Sequence, residues 1–137
     1  MDETDEKIIS RLKVDSRESF VDIGKKLNLS ESAIRRRVKN MVDGGAIKRF
    51  TIELGVGDMT SAIVLVSVDS GTDTSDVSQN LAGLDGVITV YEITGQYDIT
   101  TIISAPSIEG INGTIDALRK IRGVADTNTV IILRKVS

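Results

Sequence analysis

Apolar residues in the first fifty positions recur every three to four residues. Ile8, Ile9 and Leu12 share one face of a segment over 5–14, which opens on acidic residues suited to the positive end of a helix. Phe20, Ile23, Gly24 and Leu27 follow at i, i+3, i+4 and i+7, behind Ser19 and Asp22 in a variant of the capping box, and predict a second helix over 20–27. Gly24 faces inward in that helix. A helical Gly costs roughly 1 kcal/mol against Ala, so a close helix–helix approach is the expected reason for it. Asn28-Leu29-Ser30 breaks the pattern. Ser30 can cap a third helix in which Ile34, Val38 and Met41 form the buried stripe, with Val42 beside them and Gly44-Gly45 at its end. Two short helices on a tight turn, behind a supporting helix, make a helix-turn-helix.

From Phe50 onward the stretch Ile47–Leu54 alternates as a half-buried strand does, and residues 55–60 (Gly-Val-Gly-Asp-Met-Thr) read as a hinge. The periodicity then changes. Residues 61–69 are a β-rich apolar run, and Val77 and Leu81 sit at helical spacing in 74–83. Val87 to Thr94 and Tyr97 to Ser104 read as strands joined around Gly95-Gln96. Pro106 can begin a helix whose apolar stripe is Ile108, Ile111, Ile115 and Leu118, and 124–134 is the last strand. Leu81-x-x-Leu84-x-Gly86-Val87 recurs as Leu118-x-x-Ile121-x-Gly123-Val124, each a helix end, a capping Gly and a strand start. The order β-α-β-β-α-β predicts a ferredoxin-like four-stranded antiparallel sheet with both helices on one face. Its other face also carries Ile and Val, and is expected to meet a partner subunit. The fold class is therefore α+β: a helix-turn-helix domain of winged type over 1–53, a linker over 54–60 and a ferredoxin-like domain over 61–137.

The 137 residues include no Cys and no His. Disulfides, Cys-ligated zinc, thiol nucleophiles and Ser-His triads are thereby excluded; a carboxylate-only Mg²⁺ site stays open, but no Walker-type loop accompanies one, and no metal or other cofactor is expected. Gly55-Val56-Gly57 is too short and isolated for a phosphate loop. Aromatics make up only 3%, too few for a base-stacking platform on single strands. No apolar run approaches the roughly 18 residues of a membrane span, and the acidic start is unlike a signal peptide, so the expected location is cytoplasmic.

Charge is unevenly distributed. Residues 1–53 hold 12 basic and 10 acidic side chains, and 54–137 hold 5 and 10, giving +2 and −5. Within 31–49, Arg35, Arg36, Arg37, Lys39, Lys48 and Arg49 face only Glu31 and Asp43. A concentrated basic segment in an acidic chain points to phosphate binding at that segment.

At about 100° per residue, Ser32, Arg36 and Lys39 lie opposite the Ile34 stripe of the third helix, with Ala33 and Arg35 on the flanks. Arg37 lies near the buried edge, where it can brace the fold or reach a phosphate. A run of arginines on an arbitrary helix is most simply a solvated face. Its position on the third helix, just after a Ser-capped turn, favours DNA contact by Ser30, Ser32, Ala33, Arg35, Arg36, Arg37 and Lys39 in a major groove. Four phosphate contacts per subunit would give a salt slope of roughly −3.6 per half-site.

Several of these residues carry a resemblance. Asp5 with Ile8-Ile9, Asp15-Ser16-Arg17, Leu27-Asn28-Leu29-Ser30, Arg37-Val38 and Gly45-Ala46-Ile47 resemble the N-terminal half of the Lrp/AsnC family, the feast/famine regulators. Thr94-Gly95-Gln96-Tyr97-Asp98, and Gly123-Val124 with Thr127-Asn128-Thr129, resemble its second-domain signatures. The likeness covers nearly the whole chain, and Ile111 to Lys135 is most similar to archaeal members that respond to lysine or glutamine. The resemblance implies a homodimer formed through the second domain, assembling further to tetramers or octamers. It also implies palindromic double-stranded DNA as a partner, with half-sites about one helical turn or its multiples apart.

A small amino-acid effector is implied as well. Its site maps onto Gly95, Gln96, Tyr97 and Asp98, onto Asn112 and Asp116 of the last helix, and onto Asp126, Thr127, Asn128 and Thr129. Asp98 or Asp126 can hold an ammonium group, and Gly95 permits close backbone approach, although such residues are also common in plain turns. Gly110 and Gly113 inside the last helix permit tight packing or close ligand approach. The expected function is a ligand-responsive, sequence-specific transcription regulator. An effector-free architectural DNA coat is the alternative. An enzyme on the ferredoxin-like scaffold is disfavoured by the missing His and Cys.

Overall fold

The computed structural model describes residues 1–55 and 57–137, so Val56 of the expected hinge and of the Gly55-Val56-Gly57 stretch lies outside the described residues. The chain divides into two units, Met1–Glu53 and Leu54–Ser137.

The first unit holds α1 (Glu3–Val14), α2 (Phe20–Leu27) and α3 (Glu31–Asp43). Helix α1 starts earlier than its apolar spacing predicts, because Asp2 and Asp5 form a reciprocal cap. The Asp5 N–H donates to the Asp2 carboxylate at 2.9 Å and the Asp2 N–H to the Asp5 carboxylate at 3.1 Å. Ser19 Oγ accepts the Asp22 N–H at 3.1 Å to start α2, and Asn28 ends it in the left-handed region at φ 57°. Ser30 Oγ accepts the Ala33 N–H at 3.2 Å to start α3. Ile8, Leu12, Ile23, Ile34, Val38 and Met41 form the core, with Ile9, Phe20, Leu27, Leu29 and Ile47 packed around them. Burying each such side chain contributes about 1.5–3 kcal/mol, which holds together helices too short to persist alone.

Two expectations change here. Gly24 is needed for close approach, but its neighbour is a turn rather than a helix. A Cβ at Gly24 would lie 2.5 Å from the Leu29 carbonyl oxygen, and the Leu29 N–H donates to the Gly24 carbonyl at 2.8 Å. The strand expected over 47–54 does not form. Ile47 closes the end of α3 through its N–H to the Met41 carbonyl, but the residues after it are not in a strand, and Phe50, Ile52 and Leu54 are 52%, 74% and 77% exposed. An alternating segment becomes a strand only beside a partner strand.

The second unit holds β1 (Thr60–Val68), α4 (Thr74–Ala82), β2 (Val87–Glu92), β3 (Ile99–Ala105), α5 (Ile108–Arg119) and β4 (Val124–Ile132). The strands lie in the order β2-β3-β1-β4, all antiparallel, which is the ferredoxin-like topology. Alternate residues of β1 (Ala62, Val64, Val66) and β3 (Ile99, Ile103, Ala105) pack beneath Val77 and Leu81 of α4 and Ile111, Ile115 and Leu118 of α5. Buried Thr101 on this face donates its hydroxyl to the Val64 carbonyl at 3.4 Å. On the opposite face the register brings Ile63 beside Ile102 and Val130, and Ser61 beside Ile132.

The repeat is structural. Gly86 and Gly123 both take positive φ, 84° and 96°, and the turns before them carry matching bonds, Leu84 to Leu81 and Ile121 to Leu118. Neither glycine caps its helix, as the sequence suggests. Gly83 and Lys120 do that, and Gly86 and Gly123 turn the chain into the next strand. The β2–β3 strands are shorter than expected because Asp98 turns into the end of β1. Its N–H donates to the Val66 carbonyl at 2.9 Å and its carboxylate accepts the Val68 N–H at 2.8 Å. Pro106 does not begin α5; Ser107 caps that helix by accepting the Gly110 N–H at 3.2 Å.

Candidate functional site

Helix α3 buries Ile34, Val38 and Met41, and this fixes which residues face outward. Ser32, Arg35, Arg36 and Lys39 are exposed, and Ala33 is half-buried on the flank. Ser30 stands at the N-terminal tip, its hydroxyl 3.1 Å from that of Ser32. Arg35 is tethered within its own helix, its Nε donating to Glu31 at 2.9 Å, and its guanidinium stands 5.4 Å from the centre of the Phe20 ring on α2. Lys39 pairs with Asp43 one turn on. Exposed pairs of this kind contribute at most about 1 kcal/mol, so a phosphate can displace them at little cost. Arg36 makes no ion pair with any described residue. The exposed Lys48 and Arg49 extend the basic character beyond α3.

Arg37 is arranged differently from its neighbours. Its Nη1 donates at 2.8 Å to Asp2 and at 2.8 Å to Asp5, the two carboxylates that cap α1. Hydrogen bonds to Asp2 and then Asp5 raise the guanidinium pKa above its usual value. The Asp5 backbone N–H and then Arg37 hold the Asp2 carboxyl below the usual carboxylate range. Of the two roles open to Arg37 from its position near the buried edge, these bonds support bracing. The partners were legible only as acidic residues three apart at a helix start.

A second polar junction was not foreseen. Glu18 accepts Arg11 Nε at 2.9 Å and Nη2 at 2.7 Å, and Lys26 Nζ at 2.8 Å, tying α1 to the following loop and to α2. Bonds from Arg11 and then Lys26 hold its carboxyl below the usual glutamate value. Spacings of seven and eight residues across a loop carry no periodic signal that would reveal it.

In the second unit the expected effector positions are divided. Gly95 and Gln96 are exposed at the β2–β3 turn, with Gly95 at φ 111°; Tyr97 is half-buried, and Asp98 uses one oxygen on Val68. In the β1–β4 register Asp126 lies opposite Ser67 and Asn128 opposite Leu65, on the open face. Thr127 and Thr129 lie opposite the buried Val66 and Val64, on the helix side, where Arg119 of α5 donates to Thr127 Oγ1 at 3.1 Å. Asn112 and Asp116 are exposed on α5. Gly110 has a packing reason, since a Cβ there would lie 2.7 Å from the Ala105 Cβ, whereas Gly113 has open space around it. A polar cleft of this unit, about 440 Å³ and including Asp73, Asp76 and Arg122, contains none of the expected positions. Among the described residues no group of three or more acidic side chains could hold a metal ion, and no helix is long and apolar enough to cross a membrane.

Comparison with known proteins bears on both units. Residues 1–42 match the AsnC-type helix-turn-helix domain and residues 61–137 the Lrp/AsnC ligand binding domain. The chain is 44% identical over 134 residues to the HTH-type transcriptional regulator LysM of Saccharolobus solfataricus, covering 98% of this chain and 94% of that protein. It is 36% identical over 137 residues to the regulator FL11 of Pyrococcus horikoshii, covering 98% and 90%. Its fold matches that of AsnC from E. coli at a TM-score of 0.83 and 24% identity, over 100% of this chain and 95% of that one. It also matches a feast or famine regulatory protein from M. tuberculosis complexed with L-methionine, at a TM-score of 0.89 and 21% identity over 99% and 94%. These relatives are regulators rather than enzymes, and with an outward-facing basic α3 ahead of a ligand-binding domain, the chain belongs to the Lrp/AsnC family of transcriptional regulators.

Proposed function

We propose that this regulator binds palindromic double-stranded DNA in a sequence-specific manner and that lysine or glutamine changes its DNA affinity or its oligomeric state. The observation that carries the DNA part is the outer face of α3. Arg36 is exposed there without an ion-pair partner among the described residues, between Ser32 and the weakly tethered Lys39. Ser30, Ser32, Ala33, Arg35, Arg36 and Lys39 form the contact surface, and residues 1–53 form the DNA-binding domain. A linker over 54–60 joins it to the effector and oligomerisation domain over 61–137. As a DNA-binding regulator it works in the cytoplasm, alongside the chromosome.

The effector reading rests on charge and on the relatives. Residues 54–137 carry a net −5, and Asp98, Asp116 and Asp126 offer acceptors for ammonium groups. Lysine carries one more ammonium than glutamine, and the name LysM of the 44% identical relative points the same way. Gly95, Gln96, Tyr97, Asn112, Thr127, Asn128 and Thr129 complete the proposed site. Because these residues occupy both sides of the sheet, contributions from more than one subunit are expected. The apolar open face of Ile63, Leu65, Ile102, Val130 and Ile132 supports a homodimer, with tetramers or octamers built from it.

Footprinting with and without amino acids tests the proposal. Discrete paired half-sites that shift with lysine or glutamine support it; uniform coating favours the architectural alternative. A thermal-shift screen against the twenty amino acids tests the effector separately, since a ligand at 100 times its Kd adds about 2.7 kcal/mol of stability.

A further inference from the structure

The Arg37 junction sets a puzzle. A surface that approaches a polyanion keeps two carboxylates against its own recognition helix, where Coulomb's law disfavours them. Each carboxylate divides its oxygens between two tasks. Asp2 gives Oδ1 to the Asp5 N–H and Oδ2 to Arg37; Asp5 gives Oδ2 to the Asp2 N–H and Oδ1 to Arg37. A single guanidinium nitrogen therefore joins the N-cap of α1 to the middle of α3 across 35 and 32 residues of sequence. Arg37 lies between Arg36, which points outward, and Val38, which is buried. The buried stripe of Ile34, Val38 and Met41 sets which face of α3 is outward; a tether at Arg37 adds a directional restraint on the roll of the helix about its own axis, which apolar contacts by themselves do not supply.

We infer that Asp2, Asp5 and Arg37 form a positioning clamp that refines the rotation of α3, so that two acidic residues that make no contact with the duplex strengthen specific DNA binding. This rests on the reading that α3 enters the groove. The clamp residues touch no DNA; they act through Arg36 and its neighbours, whose base-edge contacts depend on alignment.

The test uses the full chain and a labelled duplex carrying a site selected in vitro with the wild-type protein. In Asp2→Asn/Asp5→Asn the amide oxygens still cap α1, but the charge is lost. Removing two negative charges should by electrostatics alone tighten binding to DNA. The clamp predicts the opposite: affinity falls about tenfold, the scale of one base-edge contact, with an unchanged salt slope. Arg37→Gln should weaken binding likewise, again with the wild-type slope, and Arg37→Lys should restore part of the loss. Arg36→Gln should lower the slope by about 0.9 for each phosphate contact removed.

Tighter or unchanged binding by the double variant overturns the clamp. So does a reduced slope in Arg37→Gln, which would make Arg37 a phosphate ligand. So does a loss of affinity matched by an equal loss of folded fraction in circular dichroism at the assay temperature. Failure of the underlying reading is distinguishable, because Arg36→Gln would then bind as wild type and the clamp would fall with it.

Discussion

Replacing Gly24 by Ala and, separately, Gly113 by Ala makes one chemical change in two helices with opposite expected results. Helix propensity alone favours both variants by about 1 kcal/mol. At Gly24 the added Cβ would stand 2.5 Å from the Leu29 carbonyl oxygen, a backbone atom in the turn between α2 and α3. That oxygen cannot rotate away as a side chain would, so the turn or α2 must move by several tenths of an ångström. Overpacking of this kind costs about 1–3 kcal/mol, and a backbone neighbour puts Gly24 at the upper end. Subtracting the propensity gain leaves a net loss of about 2 kcal/mol in the first unit. At Gly113 nothing among the described residues, beyond its chain neighbours and its own helix backbone, lies within 4 Å of the added Cβ, so the propensity gain survives and the second unit gains up to about 1 kcal/mol. With about 4–8 °C per kcal/mol for small domains, the first change lowers its unit's midpoint by roughly 8–16 °C and the second raises its own by a few degrees. Calorimetry on the full chain, with near-equal protein concentrations, reads both. A Gly24→Ala midpoint equal to or above wild type would refute the steric argument. A destabilised Gly113→Ala would mean that the outer face of α5 is covered in the assembled protein.

Three further outcomes follow from the geometry. Arg36→Glu should abolish specific DNA binding, a loss of at least about tenfold, while light scattering reports an unchanged oligomer; wild-type affinity would mean that another face of α3 meets the duplex. Glu18 is held below its ordinary value of 4.5 by Arg11 and Lys26, so its stabilisation is fully present above that value and is lost as pH falls through the lower folded value. Melting curves from pH 7 to pH 3 should therefore fall more steeply for the wild type than for Glu18→Gln, and parallel curves would remove Glu18 from the pH response. Ile63→Lys should shift the chain toward monomer in sedimentation velocity while preserving its circular dichroism, and an unchanged mass would exclude that sheet face as the subunit contact.

The parts of the fold that a single helix or strand dictates were legible in order. Ser19 and Ser30 announce α2 and α3 because a hydroxyl ahead of an apolar stripe has one favourable use there. The doubled Leu-x-x-apolar-x-Gly-Val pattern marks two equivalent turns, because a positive φ before a strand favours Gly. What the sequence concealed depends on neighbours distant along the chain. Arg37 belongs to the same basic run as Arg35 and Arg36, and only the approach of α1 separates its bonding from theirs.

The segment after α3 is the most informative disagreement. Phe50, Ile52 and Leu54 alternate with polar residues as a strand requires, yet within one chain they lie exposed and outside any strand. Alternation specifies one apolar face; it does not supply the hydrogen-bonding neighbour that a strand also needs. Among the described residues, the open face of the sheet and this segment are apolar in the same way: patterned for burial and left without cover by their own unit. A pattern left unfulfilled at two places within one chain accords with the homodimer proposed above, in which a second copy would supply both a covering surface and a strand edge.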